Sequence, residues 1–290
     1  MRTNETLKSI LTIGLGFVIG LFAVQPGLRA SEKGAATVDS PLTTTQVVSR
    51  MVEMADHRTE ALRSYTSLRT YDLVLHGIID LQAKMEVKMT YHYPGDKEFT
   101  ILSQSGSGYV RNHVFKRMLE AENETSHQSV NRHIAITPEN YNFQLTGYEQ
   151  NDQGQFYILK ITPKVKSKYL FKGRIWVDGN SFSIVRIEGQ PSKTLSWWTP
   201  KVNFVYQYKK VGQFWFPASN RTITHVRIFG RSLLTIDYKD YDLTDARNVQ
   251  PLMPANESSS DRTADMSLIP PHPWPYGPCP AFEISASIRR

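Results

Sequence analysis

From residue 79 to residue 93 the chain alternates without a break. The odd positions are Ile79, Leu81, Ala83, Met85, Val87, Met89, Tyr91 and Tyr93, and the even ones are Asp80, Gln82, Lys84, Glu86, Lys88, Thr90 and His92. Successive side chains of a strand point to opposite faces, so this is a strand with one greasy face and one wet face. At about 3.3 Å per residue it would run roughly 50 Å. A strand of that length does not stay flat, because sheets twist. The pattern therefore predicts a curved sheet with a buried hollow side. Residues 71–76 keep the same parity ahead of Gly77, either as a preceding strand or as the start of the same one. Pro94-Gly95-Asp96-Lys97 turns the chain, and Phe99 and Ile101 return as the partner strand.

The second half of the chain is built from short strands and tight turns. Asp178-Gly179-Asn180-Ser181, residues 209–213 and Phe229-Gly230-Arg231 punctuate it. Gly and Asn accept positive φ at little steric cost, which suits them to hairpins. Turns this close leave no room for crossover helices, so neighbouring strands are antiparallel. Strand patterning resumes near Ile134, continues through Tyr141, Phe143 and Leu145, turns at residues 151–154 and returns over 156–162. This gives about eight strands between Tyr141 and Asp242 and ten or eleven in all.

Two segments follow helical spacing instead. A hydroxyl stands three residues before a glutamine in Thr43-Thr44-Thr45-Gln46, the arrangement of a capping box. Val47, Met51 and Ala55, with Val48 and Val52, recur at intervals of four, predicting an amphipathic helix over 45–63 that lies on the sheet. Gly106-Ser107-Gly108 then interrupts the strand pattern. Val110, Val114, Phe115, Met118 and Ala121 predict a second helix over 109–122, followed by a loop over 123–131.

The ends have a different composition. Residues 1–30 carry Arg2 and Lys8, an apolar stretch over 10–24, and Leu28-Arg29-Ala30, the order of parts of an export signal. Fifteen apolar residues fall short of the roughly 20 that a spanning helix needs, so cleavage near Ala30 is expected, with an uncleaved anchor as the minority reading. Residues 31–44 form a polar lead, 45–245 the β domain and 246–290 a tail holding half of the sixteen prolines. Without residues 1–30, 31 basic and 26 acidic residues leave a net charge of +5. That excess suits an anionic membrane surface or envelope glycan, or is a basic surface without a partner. Nucleic acid is not expected of an exported chain with no basic block. Cys279 is the only cysteine, so there is no intramolecular disulfide and no cysteine-based zinc site.

The candidate site is the apolar face of the early strands. Leu81, Met85, Val87, Met89, Tyr91, Phe99 and Ile101, joined by Trp176, Trp198 and Phe204, are the predicted lining of an apolar cavity. Met is adaptable and suits varied hydrophobic ligands, and a curved sheet with such a face encloses space. The same side chains also read as plain core beneath the first helix, and both readings stand. Val110, Val114, Phe115 and Met118 would face the sheet from the second helix, which is a mobile lid or a fixed packing helix. Trp197 and Trp198 are adjacent, so at most one is buried in the usual way and the other suits a cavity mouth or a membrane interface. The eight histidines have no zinc spacing, no Gly-x-Ser-x-Gly occurs, and Asp237, Asp240, Asp242 and Asp245 read as solvated strand-end residues. No catalytic residue, metal or cofactor is expected.

The order of parts resembles the periplasmic lipoprotein-carrier and outer-membrane lipoprotein-sorting proteins. The resemblance spans residues 45–243. It is carried by Gly173-Arg174-Ile175-Trp176-Val177-Asp178, Ser183-Ile184-Val185-Arg186-Ile187-Glu188-Gly189 and Gly212-Gln213-Phe214-Trp215-Phe216-Pro217. It implies a mainly β, α+β fold: a large curved antiparallel sheet forming an incomplete barrel, its greasy concave face covered by helices and holding acyl chains. It implies a periplasmic, non-enzymatic protein whose partner is a lipid or an acylated lipoprotein. The alternative within the same fold is an envelope sensing or protein-interaction module. No ligand motif carries over residue by residue, and the proline-rich tail lies outside the pattern.

Overall fold

The computed structural model describes residues 42–247 apart from 79, 127–132, 168, 194–200 and 228–229. The expected export signal, the polar lead up to residue 41, Trp197, Trp198 and the tail beyond residue 247 lie outside the described residues.

The chain opens with α1 (Thr44–Ala61). Its capping box is closed on both sides: the Gln46 amide donates to Thr43 Oγ1 at 3.3 Å, and the Thr43 amide donates to Gln46 Oε1 at 2.9 Å. The helix ends where Leu62 turns extended, two residues earlier than its spacing suggests, and Leu62 is already the first residue of β1 (Leu62–His76). No loop separates the two. β1 includes the residues 71–76 of the sequence pattern but starts nine residues earlier. Its first half escapes a hydrophobicity reading because the buried parity there carries Ser67 and Arg69.

β2 (Leu81–His92) is the alternating strand, and β3 (Asp96–Gly106) its hairpin partner. Helix then runs through α2 (Gly108–Val110), a π-helical turn (Arg111–Phe115) and α3 (Lys116–Ser126), so residues 123–126 are helical where a loop is expected. Gly106 makes the exit from β3 feasible: its φ is +80°, and a Cβ there would lie 2.2 Å from the Gln82 carbonyl oxygen. Near Ile134 the chain is helical and then bends and turns, with no strand, and the sheet resumes at Tyr141.

Among the described residues seven strands follow, against the about eight expected: β4 (Tyr141–Asn151), β5 (Gly154–Pro163), β6 (Phe171–Asp178), β7 (Ile184–Pro191), β8 (Lys201–Val211), β9 (Phe214–Val226) and β10 (Gly230–Ala246). The β6–β7 turn also departs from expectation. Positive φ falls on Phe182, at 52°, while the turn is held by Asp178 Oδ2 accepting from the Ser181 amide and hydroxyl.

All ten strands form one antiparallel sheet in the order β3-β2-β1-β10-β9-β8-β7-β6-β5-β4. Among the described residues β3 and β4 remain as open edges, so the sheet is an incomplete barrel and the fold is mainly β with few helices. One row of register partners shows the continuity of its inner face: Met85, Tyr71, Ile236, Asn220, Tyr206, Ile187, Ile175, Leu159 and Leu145 run across nine strands. Both helical segments pack on that face. α1 covers β4–β8 through Val47, Val48, Met51 and Met54. Val110, Val114, Phe115, Met118 and Leu119 of the second segment cover β1, β2 and β10. Among the described residues no helix is long and apolar enough to cross a membrane.

Candidate functional site

The predicted lining residues do not gather in one place. Met85 and Val87 lie beneath the second helical segment, with Leu81 at the rim of that cluster. Met89 and Tyr91 join Tyr65, Phe214 and Phe216 in a separate cluster near the α1–β1 junction. Phe99 packs against both clusters. Phe204 belongs to the α1 half, where it and Phe171 meet edge to face at 5.4 Å. Those two rings fill the dip left by the cross-strand pair Gly173 and Gly189: a Cβ on Gly189 would lie 2.7 Å from Phe171 and 2.9 Å from Phe204. Ile101 is 46% exposed on the edge strand.

Trp176 sits on the opposite face of the sheet from its buried neighbours Ile175 and Val177. Its indole donates to Glu149 Oε2 at 3.0 Å, and the Arg174 and Arg186 guanidinium groups approach its ring at 5.2 and 4.9 Å. A hollow of about 240 Å³ lies beside it. A shallow groove of about 760 Å³ runs along the same outer face past the cross-strand row Lys160, Arg174, Glu188 and Val205.

The four predicted lid residues are all buried against the sheet: Val110 at 2%, Val114 at 3%, Phe115 at 0% and Met118 at 5% exposure. Tyr71 and Phe115 meet at a centroid distance of 5.9 Å. A π-helical turn, which makes weaker backbone geometry than an α turn and recurs at functional sites, places Val114 and Phe115 there.

A charged cluster fastens this cover, and hydrophobic patterning does not reveal it. Arg69 projects from β1 and Lys97 from β3, both on the buried parity, with 4% and 2% of their side chains exposed. Glu122 comes from α3, four residues after Met118 on the same helix face. Its Oε2 accepts from Arg69 at 2.8 Å, and its Oε1 accepts from Lys97 at 2.8 Å. Burial alone would push the Glu122 carboxyl up, but Arg69 and Lys97 outweigh it and hold it at about 2. For Lys97 burial is the larger influence and its ammonium is lowered despite Glu122, while Arg69 is raised because Glu122 and the surrounding tyrosines outweigh its burial. Burial pushes the Tyr71 hydroxyl up to about 12 against the pull of Arg69, so it stays neutral. Phe99 and Tyr238 flank the Arg69 guanidinium at 5.5 and 5.2 Å. Two buried cations thus share one carboxylate, and the Arg69 Nε finds no hydrogen-bond partner. Parity was the available signal: Arg69 precedes Tyr71 by two, and Lys97 precedes Phe99 by two.

A second polar feature divides the inner face. Asn220, Thr222 and Thr224 form a fully buried column on β9, with Ser232 of β10 opposite Thr224. The Thr222 hydroxyl donates to Asn220 Oδ1 at 3.0 Å. Asn220 Nδ2, Thr224 Oγ1 and Ser232 Oγ find no partner. The column separates the α1 half from the α2–α3 half. Asp237, Asp240, Asp242 and Asp245 are exposed. Among the described residues no group of three or more His, Cys, Asp or Glu is placed to hold a metal.

A family model described as a family of unknown function, DUF5686, matches residues 69–239. No curated protein matches the sequence. Among solved structures, a LolA superfamily protein from Nitrosomonas europaea matches at 13% identity and a TM-score of 0.34, over 71% of this chain and 95% of that one. The MucA/MucB complex from Pseudomonas aeruginosa matches at 9% identity and 0.24, over 72% and 100%. LprF from Mycobacterium bovis matches at 7% and 0.22, over 75% and 99%. At such scores the functional reading rests on the geometry of this chain.

Proposed function

Since the chain belongs to a family of unknown function, DUF5686, we propose its role from its own geometry: it is an exported, non-enzymatic envelope protein that binds a lipid, or the acyl chains of a lipoprotein, between its sheet and the α2–α3 cover. Handling lipoproteins during sorting is the finer role that the sequence resemblance implies. The observation that carries the reading is the construction of that cover. Among the described residues, an apolar face of three strands is shielded by a short helix interrupted by a π turn, hung from Gly106 and fastened at its far end by Glu122. Withdrawing it exposes Leu73, Met85, Val87 and Leu234, which a hydrocarbon chain would cover again. Each Å² of apolar surface so returned contributes about 25 cal/mol.

The test is extraction of the purified protein followed by mass spectrometry for co-purified lipid, with titration by a fluorescent fatty acid. Bound lipid, or saturable uptake of the probe that Phe115→Trp alters, is the expected result. A lipid-free protein that ignores the probe would overturn the reading.

One observation favours a second reading, that of an interaction module. From Thr100 to Gly106 the β3 edge is exposed along its length, including Ile101 and Leu102 at 46% and 53%. Such an edge can accept a strand from a partner. Leu102→Pro would abolish partner capture and leave lipid uptake unchanged.

A further inference from the structure

We propose that the ligand is an anionic amphiphile whose acidic head group takes the place of Glu122 between Arg69 and Lys97. The inference rests on the lipid-binding reading above and names the chemical class of its ligand. The two cations belong to the sheet, on β1 and β3, while the carboxylate that neutralises them belongs to the cover. Lifting α3 would therefore strand two buried cations in an apolar setting. Breaking a buried ion pair by removing one partner is strongly destabilising, because the remaining charge is uncompensated. A neutral hydrocarbon arriving in the bay does nothing to offset that cost. An incoming carboxylate or phosphate does, by accepting the hydrogen bonds that Glu122 gives up.

The positions fit such an exchange. Arg69 is the register partner of Val87, and Lys97 of Tyr91, so the cations stand at the end of the greasy strip formed by Met85 and Val87. A head group on Arg69 would let a tail run toward Met85 and Leu73, over the ground now held by Val114, Phe115 and Met118. The cluster also has capacity to spare. It carries one more positive than negative charge, and Arg69 Nε is buried with no acceptor. A guanidinium presents a planar fork of donors that matches a carboxylate or a phosphate. Glu122, at 16% side-chain exposure, is the member of the cluster nearest to water and the one an incoming anion meets.

The experiment compares tetradecanoate with tetradecanol on the full-length wild-type protein at about pH 8, where the acid is ionised, by displacement of a fluorescent probe. Sodium acetate and inorganic phosphate serve as anions without a tail. The acid should bind at least about tenfold more tightly than the alcohol, the scale of one hydrogen bond to a charged group. Lys97→Met should shrink that ratio, and Glu122→Gln, which loosens the cover for any tail, should raise affinity for the acid by a larger factor than for the alcohol. Equal affinity of wild type for acid and alcohol overturns the inference and leaves lipid binding intact. Acetate or phosphate competing as well as tetradecanoate also overturns it, in favour of a small-anion site. Failure to bind either tetradecyl compound overturns the lipid reading itself and this inference with it. If Glu122→Gln does not fold, the wild-type comparison still decides.

Discussion

The two covers of the inner face are fastened in different ways. α1 is joined to the sheet by hydrogen bonds involving the main chain. Arg58 donates to the carbonyls of Ser181 and Phe182 at 2.6 and 3.4 Å, and the Leu145 amide donates to Thr44 Oγ1 at 3.2 Å. It runs directly into β1, with no slack between them. The α2–α3 segment has a π turn in its middle and an ionic cluster near its end. Hydrogen bonds tied to fixed main-chain groups offer no alternative partner within the sheet. An ion pair can be exchanged for another ion of the same sign. On the lipid-binding reading proposed above, the first cover would be the scaffold and the second the gate.

That contrast fails or gains weight according to how the two halves respond to perturbation. Glu122→Gln leaves Arg69 and Lys97 uncompensated and should destabilise the α2–α3 region by about 3–5 kcal/mol. Hydrogen exchange is the measurement: amides of residues 108–126 should lose protection while those of residues 47–61 keep theirs. Parallel loss in both segments would mean that the covers open as one unit.

Acid should act on the same half. Folding lowers the Glu122 carboxyl from its ordinary 4.5 to about 2, so it favours the folded state when ionised. Its contribution, about 3 kcal/mol at neutral pH, is complete above about pH 5 and is lost as pH falls toward about 2. Denaturant midpoints followed across that range should drop in the wild type and show less slope in Glu122→Gln.

Arg58→Met removes two hydrogen bonds from a cation to carbonyl groups, worth about 1–3 kcal/mol together. It should lower thermal stability and leave lipid affinity untouched, because the first cover does not gate. Thr43→Ala removes the cap and should cost about 1 kcal/mol, with fraying confined to the first turn of α1 by circular dichroism and exchange.

The sheet was legible in the sequence where its inner parity is apolar. Residues 81–92 announce β2 because Ala83, Met85, Val87, Met89 and Tyr91 are uniformly greasy. The first half of β1 was hidden because Ser67 and Arg69 occupy the same inward parity, and hydrophobic alternation cannot register an inward charge. The fastening cluster was hidden for the same reason, and for another: Glu122 is far from Arg69 in sequence, and only the fold brings them together. Trp176 misled for the opposite reason. Its bulk suggests a cavity wall, yet it stands one residue out of phase with Ile175 and is housed by two arginines on the outer side.

The polar column on β9 gives the interior a grain. Hydrocarbon on its β10 side rests on Leu234 and Ile236; on its β8 side it rests on Phe204 and Tyr206. A tail lying crosswise would bar water from Asn220 Nδ2 and Thr224 Oγ1 whenever a cover lifts, at about 1–3 kcal/mol for each group denied a partner. A tail lying lengthwise, parallel to the strands, touches neither. On the lipid-binding reading proposed above, the column would act as a watershed: it would orient whatever oil enters and keep the contents of one basin from spilling into the other.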